Sequence, residues 1–234
     1  MSDIKELARR VRMAGRALAR HGMVHAYGHC SARIDADTFL VSPPRPLGMV
    51  TAGEECAVAS VHGPLPEGVL GEVRIHRDIY RRRPDVQGVV RSTPPKAMTL
   101  GAMRRTPKAR YGYGAYFAPQ PPLWDDPKLL RSDELTDQLA ATLGNAGAIF
   151  MRGNGLVTAG SSIEEAVVLT WYAEDAARVE LEFLAAGMDD VGIMSDEDIK
   201  SRATWAGRIR ERMWDYLTDG DPEANNRPVP GRAQ

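Results

Sequence analysis

The sequence predicts an α/β fold, and three observations lead to that prediction. Apolar residues recur at helical spacing in residues 3–21, and short alternating segments follow between residues 30 and 61. From residue 72 onward, helix-like and strand-like segments take turns, as is typical of α/β domains. With 234 residues, the chain can bury the core of one such domain without a second.

The first quarter of the chain predicts one helix and three strands. In residues 3–21 the apolar side chains fall on one helical face, and Gly22 is suited to the turn that ends the helix. Residues 30–34 and 38–42 alternate in polarity around a short polar turn, which indicates a hairpin. Residues 56–61 predict a third strand.

The middle of the chain alternates between the two kinds of element. Residues 72–83 predict a helix that ends before Pro84, where the pyrrolidine ring cannot continue it. The remaining segments are a strand at 86–91, a helix at 96–103, and a strand pair at 148–151 and 156–158.

Two long helices complete the predicted domain. A serine followed three residues later by an acidic residue precedes each of them, which is the pattern of a helix N-terminal cap. These helices are predicted at 163–186 and 196–217. The domain is therefore expected to span residues 1–218, and the polar, Pro- and Gly-rich residues 219–234 to form a mobile tail.

Residues 104–133 are rich in proline and aromatic residues and cannot form a regular helix. Long loops of this kind within a compact domain commonly form a wall of a binding site or a subunit contact. Both interpretations remain open for Tyr113 and Tyr116, which we place among the candidate substrate-binding residues.

The composition narrows the kinds of partner and location. Thirty Lys and Arg residues against 31 Asp and Glu residues give a net charge of −1, which offers no attraction for nucleic acid or an anionic membrane. No apolar run approaches the roughly 20 residues that a membrane span needs. A cytoplasmic protein is expected, with a small-molecule substrate and both cysteines reduced and buried.

Several motifs resemble those of the class II aldolase/adducin family. Residues 28–33 are similar to its Gly-(His/Asn)-x-Ser-x-Arg segment, in the Gly-His form of branches that include decarboxylases. Residues 72–86 match Glu-x-x-x-His-x-x-Ile-Tyr-x-x-Arg-Pro-Asp-Val, and residues 160–166 match Gly-x-Ser-x-Glu-Glu-Ala. The resemblance implies a central mixed, largely antiparallel sheet flanked by helices, and commonly a fourfold-symmetric tetramer.

The resemblance fails at the metal-binding positions. The family holds zinc or manganese with the two histidines of a Val-x-His-Thr-His run and the histidine of an Arg-(Asn/Gly)-His-Gly run. The matching positions here are Arg91, Thr93 and Asn154. Zinc and manganese sites favour imidazole, thiolate or carboxylate ligands, so we expect no metal and no other cofactor. A site rebuilt from His25, His29 and Glu72 is the open alternative.

Three residues are the candidate catalytic groups. The resemblance implies that Glu72 is the acid/base carboxyl and that His29 contacts substrate, as a second proton-transfer or orienting group. Arg91 stands at a former ligand position, where a guanidinium could hold a carboxylate or stabilise a developing enolate. Equally, Arg91 could form an ion pair with Glu72 that only fills the space.

Other polar residues are candidates for binding the substrate. Arg33 and Arg45 could pair with its carboxylate, although Pro43 and Pro44 remove backbone donors that a phosphate would need. Further candidates, placed by the motifs, are His25, Ser31, Ser42 and Asn154.

The function expected from these features is that of a metal-independent carbon–carbon lyase. It would decarboxylate, or cleave by a retro-aldol reaction, a small carboxylate-bearing substrate of aromatic or cyclic structure. A non-catalytic, adducin-like binding or assembly protein is the second hypothesis. A metal-free isomerase, dehydratase or cyclase on the same scaffold is the third.

The chain is predicted to be a homo-oligomer, most simply a tetramer, because the loop at 104–133 is apolar and the resemblance implies fourfold assembly. Light scattering of the purified protein should give about four times the mass of one chain. A monomer at micromolar concentration would contradict sites formed between subunits.

Overall fold

A computed structural model describes residues 2–224 and confirms the predicted fold class. Seven strands form one sheet in the order β3-β2-β1-β4-β7-β6-β5, in which β5 and β6 are parallel and every other neighbouring pair is antiparallel. The strands are β1 His29–Arg33, β2 Thr38–Val41, β3 Ala57–Ser60, β4 Gly88–Ser92, β5 Leu123–Trp124, β6 Ala148–Met151 and β7 Gly155–Gly160.

Helices cover both faces of the sheet. The helices are α1 Ser2–Arg20, α2 Arg74–Arg82, α3 Pro95–Ala102, α4 Asp133–Leu143, α5 Ile163–Ala185, α6 Asp196–Arg202 and α7 Ile209–Thr218. Apolar residues of α1, α3 and α5 pack on one face in the larger of two buried clusters. The smaller cluster joins the other face to α2 and α4. Within residues 2–224, no helix is both long and apolar enough to cross a membrane.

Alternation along β4 assigns side chains to the two faces. Val89 belongs to the α2 cluster and Val90 to the α1 cluster, so Arg91 returns to the α2 face. In the antiparallel register, His29 of β1 lies directly opposite Arg91 of β4. The strand pairing therefore places these two polar side chains side by side at one end of the sheet.

The predicted elements agree with the structure except at particular boundaries. The helix predicted at 196–217 is wrong across residues 203–208: α6 ends at Arg202, and Gly207 and Arg208, with φ of 70° and 59°, directly precede α7. Glu72 belongs to a 3₁₀ turn, Gly71–Val73, that precedes α2. Helix α4 had not been predicted. Both cysteines are free and buried, as expected.

The residues that follow α7 are attached to α1 by buried ion pairs. The Arg16 guanidinium donates to both Asp221 carboxylate oxygens, at 2.8 and 2.7 Å, and the Asp221 side chain is 0 % exposed. Glu223 accepts from Arg12 at 2.6 Å and from Arg16 at 2.7 Å. We infer that the domain continues to residue 224, beyond the boundary predicted at 218; the rest of the predicted tail, 225–234, lies outside the described residues.

Replacing Asp221 should destabilise the domain. Asp221→Ala leaves the buried Arg16 with Glu223 and the carbonyl oxygen of Val50, and breaking a buried pair costs about 3 kcal/mol or more. Urea unfolding should show this loss in the free energy of unfolding. Asp215→Ala, an exposed change on α7, is the matched control and should stay within about 0.5 kcal/mol. Equal stability of the two variants would show that the ion pair does not hold the domain together.

Candidate active site

The candidate site lies where β1 begins, β4 ends and β7 begins. A cavity of about 280 Å³ opens there, and His29, Glu72 and Arg91 line it. His29 comes from β1, Arg91 from β4, and Glu72 from the 3₁₀ turn before α2. The three predicted catalytic residues thus come together from distant parts of the sequence.

Arg91 connects the elements around the cavity. Its Nη2 atom donates to Asn154 Oδ1 at 2.5 Å and lies 3.3 Å from Glu72 Oε2. The arginine is 5 % exposed, and burial lowers its pKa while the Glu72 carboxylate acts in the opposite direction. Because a guanidinium stays protonated in proteins, the site holds a fixed positive charge.

Asn154 reaches Arg91 from a tight turn between β6 and β7. Its neighbour Gly155 has a φ of 94°, and a Cβ atom there would lie 2.1 Å from the carbonyl oxygen of Ser92. Only glycine allows β7 to approach β4 so closely in this backbone conformation. The glycine therefore fixes the position of Asn154 relative to Arg91.

His29 is supported by a second layer of hydrogen bonds. Its Nδ1 atom is 2.7 Å from His76 Nε2, and His76 Nδ1 is 2.5 Å from the Ser31 hydroxyl. The Ser31 hydroxyl in turn lies 2.8 Å from that of Tyr80. His76 and Tyr80 project from α2 one turn apart, and all four side chains are buried.

Several buried polar atoms of this cluster have no partner among the described residues, 2–224. They are His29 Nε2, Glu72 Oε1, Arg91 Nε and Asn154 Nδ2. Buried polar atoms are nearly always hydrogen-bonded in folded proteins, so a group of unpaired ones at a cavity indicates a place for ligand or water. Both donors and acceptors are present, which suits an anionic substrate that also carries hydroxyl groups.

Two more arginines line the cavity. Arg45 lies 3.4 Å from Glu54, and its side chain is 42 % exposed. Arg131 is exposed, and within residues 2–224 it makes no ion pair. The cavity wall therefore holds three guanidinium groups against the carboxylate of Glu72.

Other predicted binding residues lie away from the cavity. His25 is exposed, and its Nδ1 atom accepts from the amide of Ala26. Arg33 donates to backbone carbonyls at the far end of β1, among them that of Tyr80 at 2.7 Å. Ser42 accepts from the amide of Cys30, and Ser31 faces His76 and Tyr80.

Tyr113 and Tyr116 belong to an aromatic cluster elsewhere in the chain. The ring of Tyr113 stacks on Tyr172 with centroids 4.3 Å apart, and Tyr116 contacts Trp205 at 4.5 Å. They line a different hollow, of about 420 Å³. Because their rings pack within the chain, the aromatic residues do not by themselves require a subunit contact.

Sequence reasoning missed parts of the site. Neither His76 nor Tyr80 is among the predicted site residues, although their four-residue spacing places them along one side of a helix. Arg131 lies within the proline-rich segment 104–133, whose predicted role as a possible site wall did not single it out, and it reaches the cavity only through the fold.

The donor set does not fit a divalent metal. Glu72 and Asn154 both face the Arg91 guanidinium, whose positive charge would repel a cation. Within residues 2–224, no three His, Cys, Asp or Glu side chains are arranged to hold a metal ion. The alternative site of His25, His29 and Glu72 is not among such groups either.

The comparisons with known proteins identify the family. The model of the class II aldolase and adducin N-terminal domain matches residues 9–181, and the chain belongs to this family. The chain is 27 % identical over 200 residues to a 3,4-dihydroxyphthalate decarboxylase of Arthrobacter keyseri, covering 76 % of this chain and 78 % of the relative. It is 28 % identical to the protein of that name from Terrabacter sp. (strain DBF63), covering 74 % and 80 %.

A solved structure agrees with the fold. The L-fuculose 1-phosphate aldolase from Glaciozyma antarctica PI12 superposes with a TM-score of 0.74 at 20 % identity, covering 92 % of this chain and 88 % of that one. The family and the decarboxylase-named relatives together support a carbon–carbon lyase.

We predict that the purified protein contains no stoichiometric zinc, manganese, iron or cobalt, because the guanidinium excludes a cation from the cluster. Elemental analysis tests this. Arg91→His alone should not restore binding, whereas the triple variant Arg91→His, Thr93→His, Asn154→His should bind zinc. One tightly held metal ion per wild-type chain would contradict the prediction.

The buried histidines should make stability depend on pH. Burial lowers the pKa of His76 to about 3 and, with His76 and Arg91, also lowers that of His29. As pH falls from 6.5 to 5, the unfolded histidines take up protons that the folded ones do not. The free energy of unfolding should therefore fall, by up to about 1.4 kcal/mol per pH unit for each histidine.

Urea unfolding between pH 5 and 7 measures this slope. His76→Gln removes one of the two buried histidines. The free energy of unfolding of this variant should therefore change less steeply with pH than that of the wild type, by up to about 1.4 kcal/mol per pH unit. Identical slopes would mean that His76 is protonated in the folded protein.

Proposed function

We propose that the chain is a metal-independent decarboxylase of small, hydroxylated aromatic carboxylic acids. The observation that carries this proposal is the buried Arg91, held by Glu72 and Asn154 with its Nε atom unpaired at the cavity. A fixed guanidinium at this point can bind a substrate carboxylate or phenolate through charge-assisted hydrogen bonds.

The size and lining of the cavity support a single-ring substrate. About 280 Å³ is near the lower end of the volumes of small-molecule sites. Pro44, Pro46 and Leu70 supply apolar surface beside the three arginines. An aromatic ring with one or two carboxylates matches both the apolar walls and the positive charge.

The relatives' names support the reaction type. Proteins named 3,4-dihydroxyphthalate decarboxylase match about three quarters of this chain, and they suggest a hydroxylated aromatic acid as substrate. A sugar phosphate is less suitable, because Pro43 and Pro44 offer no backbone donors beside the cavity.

The residues can carry out the steps of a decarboxylation. The bond between the ring carbon and the carboxyl carbon breaks, CO₂ leaves, and the electron pair remains on the ring carbon. Glu72, whose Oε1 atom is unpaired within residues 2–224, takes up a proton from solvent and delivers it to the ring carbon to form the new C–H bond, which returns Glu72 to the carboxylate that pairs with Arg91. Arg91 and His29 stabilise the negative charge on the substrate oxygens during the step.

Glu72→Gln should lower turnover by about 10²-fold or more, because the amide cannot exchange the proton. The measurement is CO₂ release from 3,4-dihydroxyphthalate and related hydroxybenzoic acids, with and without a chelator. Glu67→Gln, an exposed change in the preceding loop, is the matched control and should keep wild-type turnover.

Three outcomes would argue against this proposal. Unchanged turnover in both Glu72→Gln and Arg91→Ala would remove the catalytic assignment. Loss of activity on chelation, restored by added zinc or manganese, would contradict metal independence. Binding of these acids without CO₂ release would favour the binding-protein hypothesis.

A further inference from the structure

The hydrogen bonds behind His29 form one unbranched chain of four groups. In order they are the Tyr80 hydroxyl, the Ser31 hydroxyl, the His76 ring and the His29 ring. Three hydrogen bonds join them, and the fourth nitrogen of the two rings, His29 Nε2, is buried and unpaired at the cavity. This chain of hydrogen bonds thus runs from the protein core to the cavity.

Counting the protons of these four groups shows which atom carries the proton that none of the three hydrogen bonds uses. Each hydroxyl carries one proton, and each neutral imidazole carries one, which makes four. Both rings are neutral near pH 7, because burial lowers the pKa of each below its ordinary value. Three bonds use three of the four protons, so one proton must lie at an end of the chain.

The two ends differ in what can accept that proton. At the inner end, Ser31 is the hydrogen-bond partner of the Tyr80 hydroxyl within residues 2–224. The nearby backbone amide of Val89 acts on Tyr80 as a donor and cannot accept a proton. If Ser31 donated to Tyr80, the tyrosine proton would be left buried without an acceptor, at a cost of about 1–3 kcal/mol.

The outer end has no such penalty. With Tyr80 donating to Ser31, Ser31 to His76 Nδ1, and His76 Nε2–H to His29 Nδ1, every bond has one donor and one acceptor. The remaining proton then lies on His29 Nε2 and faces the cavity, where water or substrate can accept it.

We propose that Tyr80, Ser31 and His76 are positioning residues that hold His29 as the tautomer protonated on Nε2. His29 is then a hydrogen-bond donor to an anionic oxygen of the substrate and not a general base. The tautomer stands on the hydrogen-bond geometry and on the neutrality of the two buried rings, whereas the contact with a substrate oxygen rests on the proposed function.

This assignment gives His29 and Glu72 different roles at the site. Proton loss from His29 Nε2 would shift each proton along the chain and leave a phenolate at Tyr80, whose pKa burial raises above its usual value. Deprotonation of His29 Nε2 is therefore unfavourable. Proton transfer to the ring carbon falls to Glu72, and His29 and Arg91 together supply the donors for developing negative charge.

Nitrogen-15 NMR of the protein labelled at histidine tests the tautomer directly, without substrate. His29 should show a protonated Nε2 and an unprotonated Nδ1, and His29→Gln identifies its signals by their loss. An unprotonated Nε2, or a ring protonated on both nitrogens at pH 7, would overturn the proposal.

Tyr80→Phe tests the inner end of the chain. Without the tyrosine hydroxyl, a water in the space it leaves can accept the Ser31 proton, so Ser31 can accept from His76, both tautomers become accessible, and the two His29 nitrogen signals should move toward each other. Tyr172 is also buried but does not belong to this chain of hydrogen bonds. Tyr172→Phe is therefore the control and should leave the His29 nitrogen signals unchanged. Unchanged His29 signals in Tyr80→Phe would show that Tyr80 does not set the tautomer.

These results are separable from the proposed function. The predicted tautomer without CO₂ release would leave the positioning role standing and remove the decarboxylase proposal. Should Tyr80→Phe fail to fold, the wild-type spectrum still decides the tautomer.

Discussion

The placement of a guanidinium in a nearly closed site is the constraint on which the rest of this structure depends. Desolvating a charge is costly unless paired and hydrogen-bonded groups compensate it. Arg91 is compensated by Glu72 and Asn154, which approach it from the turn before α2 and the turn between β6 and β7. Those two turns are consequently fixed around one side chain, and the cavity takes its shape from them.

The sheet supplies the rigidity that this arrangement needs. Arg91 lies on the central part of the sheet, between β1 and β7, where both edges of β4 are hydrogen-bonded. His29 is set beside it by the antiparallel register, so the distance between the two side chains does not depend on a loop. Sites on regular elements hold their geometry more closely than sites on loops.

Much of the fold could be predicted from periodicity, because helices and strands repeat their apolar residues with different periods. The helix caps at Ser162 and Ser195 were predicted from a serine followed three residues later by an acidic residue. Both hydroxyls accept the expected amide hydrogen bonds. The break at Gly207 and Arg208 was missed, since a glycine after Trp205 in an otherwise helical pattern does not reveal a left-handed backbone.

The site was only partly predictable. Motif positions placed Glu72, His29 and Arg91 at one site, and the structure brings them to one cavity. Ser31 and Arg33 share the motif and the α2 face with His29, yet they lie farther along β1, where they bind side chains and backbone of α2. A motif identifies the strand, but the packing of the opposing helix decides which of its residues reach the cavity.

The ion pairs of Asp221 and Glu223 connect the end of the described chain to the mouth of the cavity. Glu223 accepts from the amide of Gly53, and Arg12 donates to the carbonyl of Glu54. The Glu54 carboxylate in turn pairs with Arg45 on the cavity wall. A chain cut after α7 would keep every candidate catalytic residue and lose this support. The cavity wall at Arg45 is in this way supported by residues from the far end of the described chain.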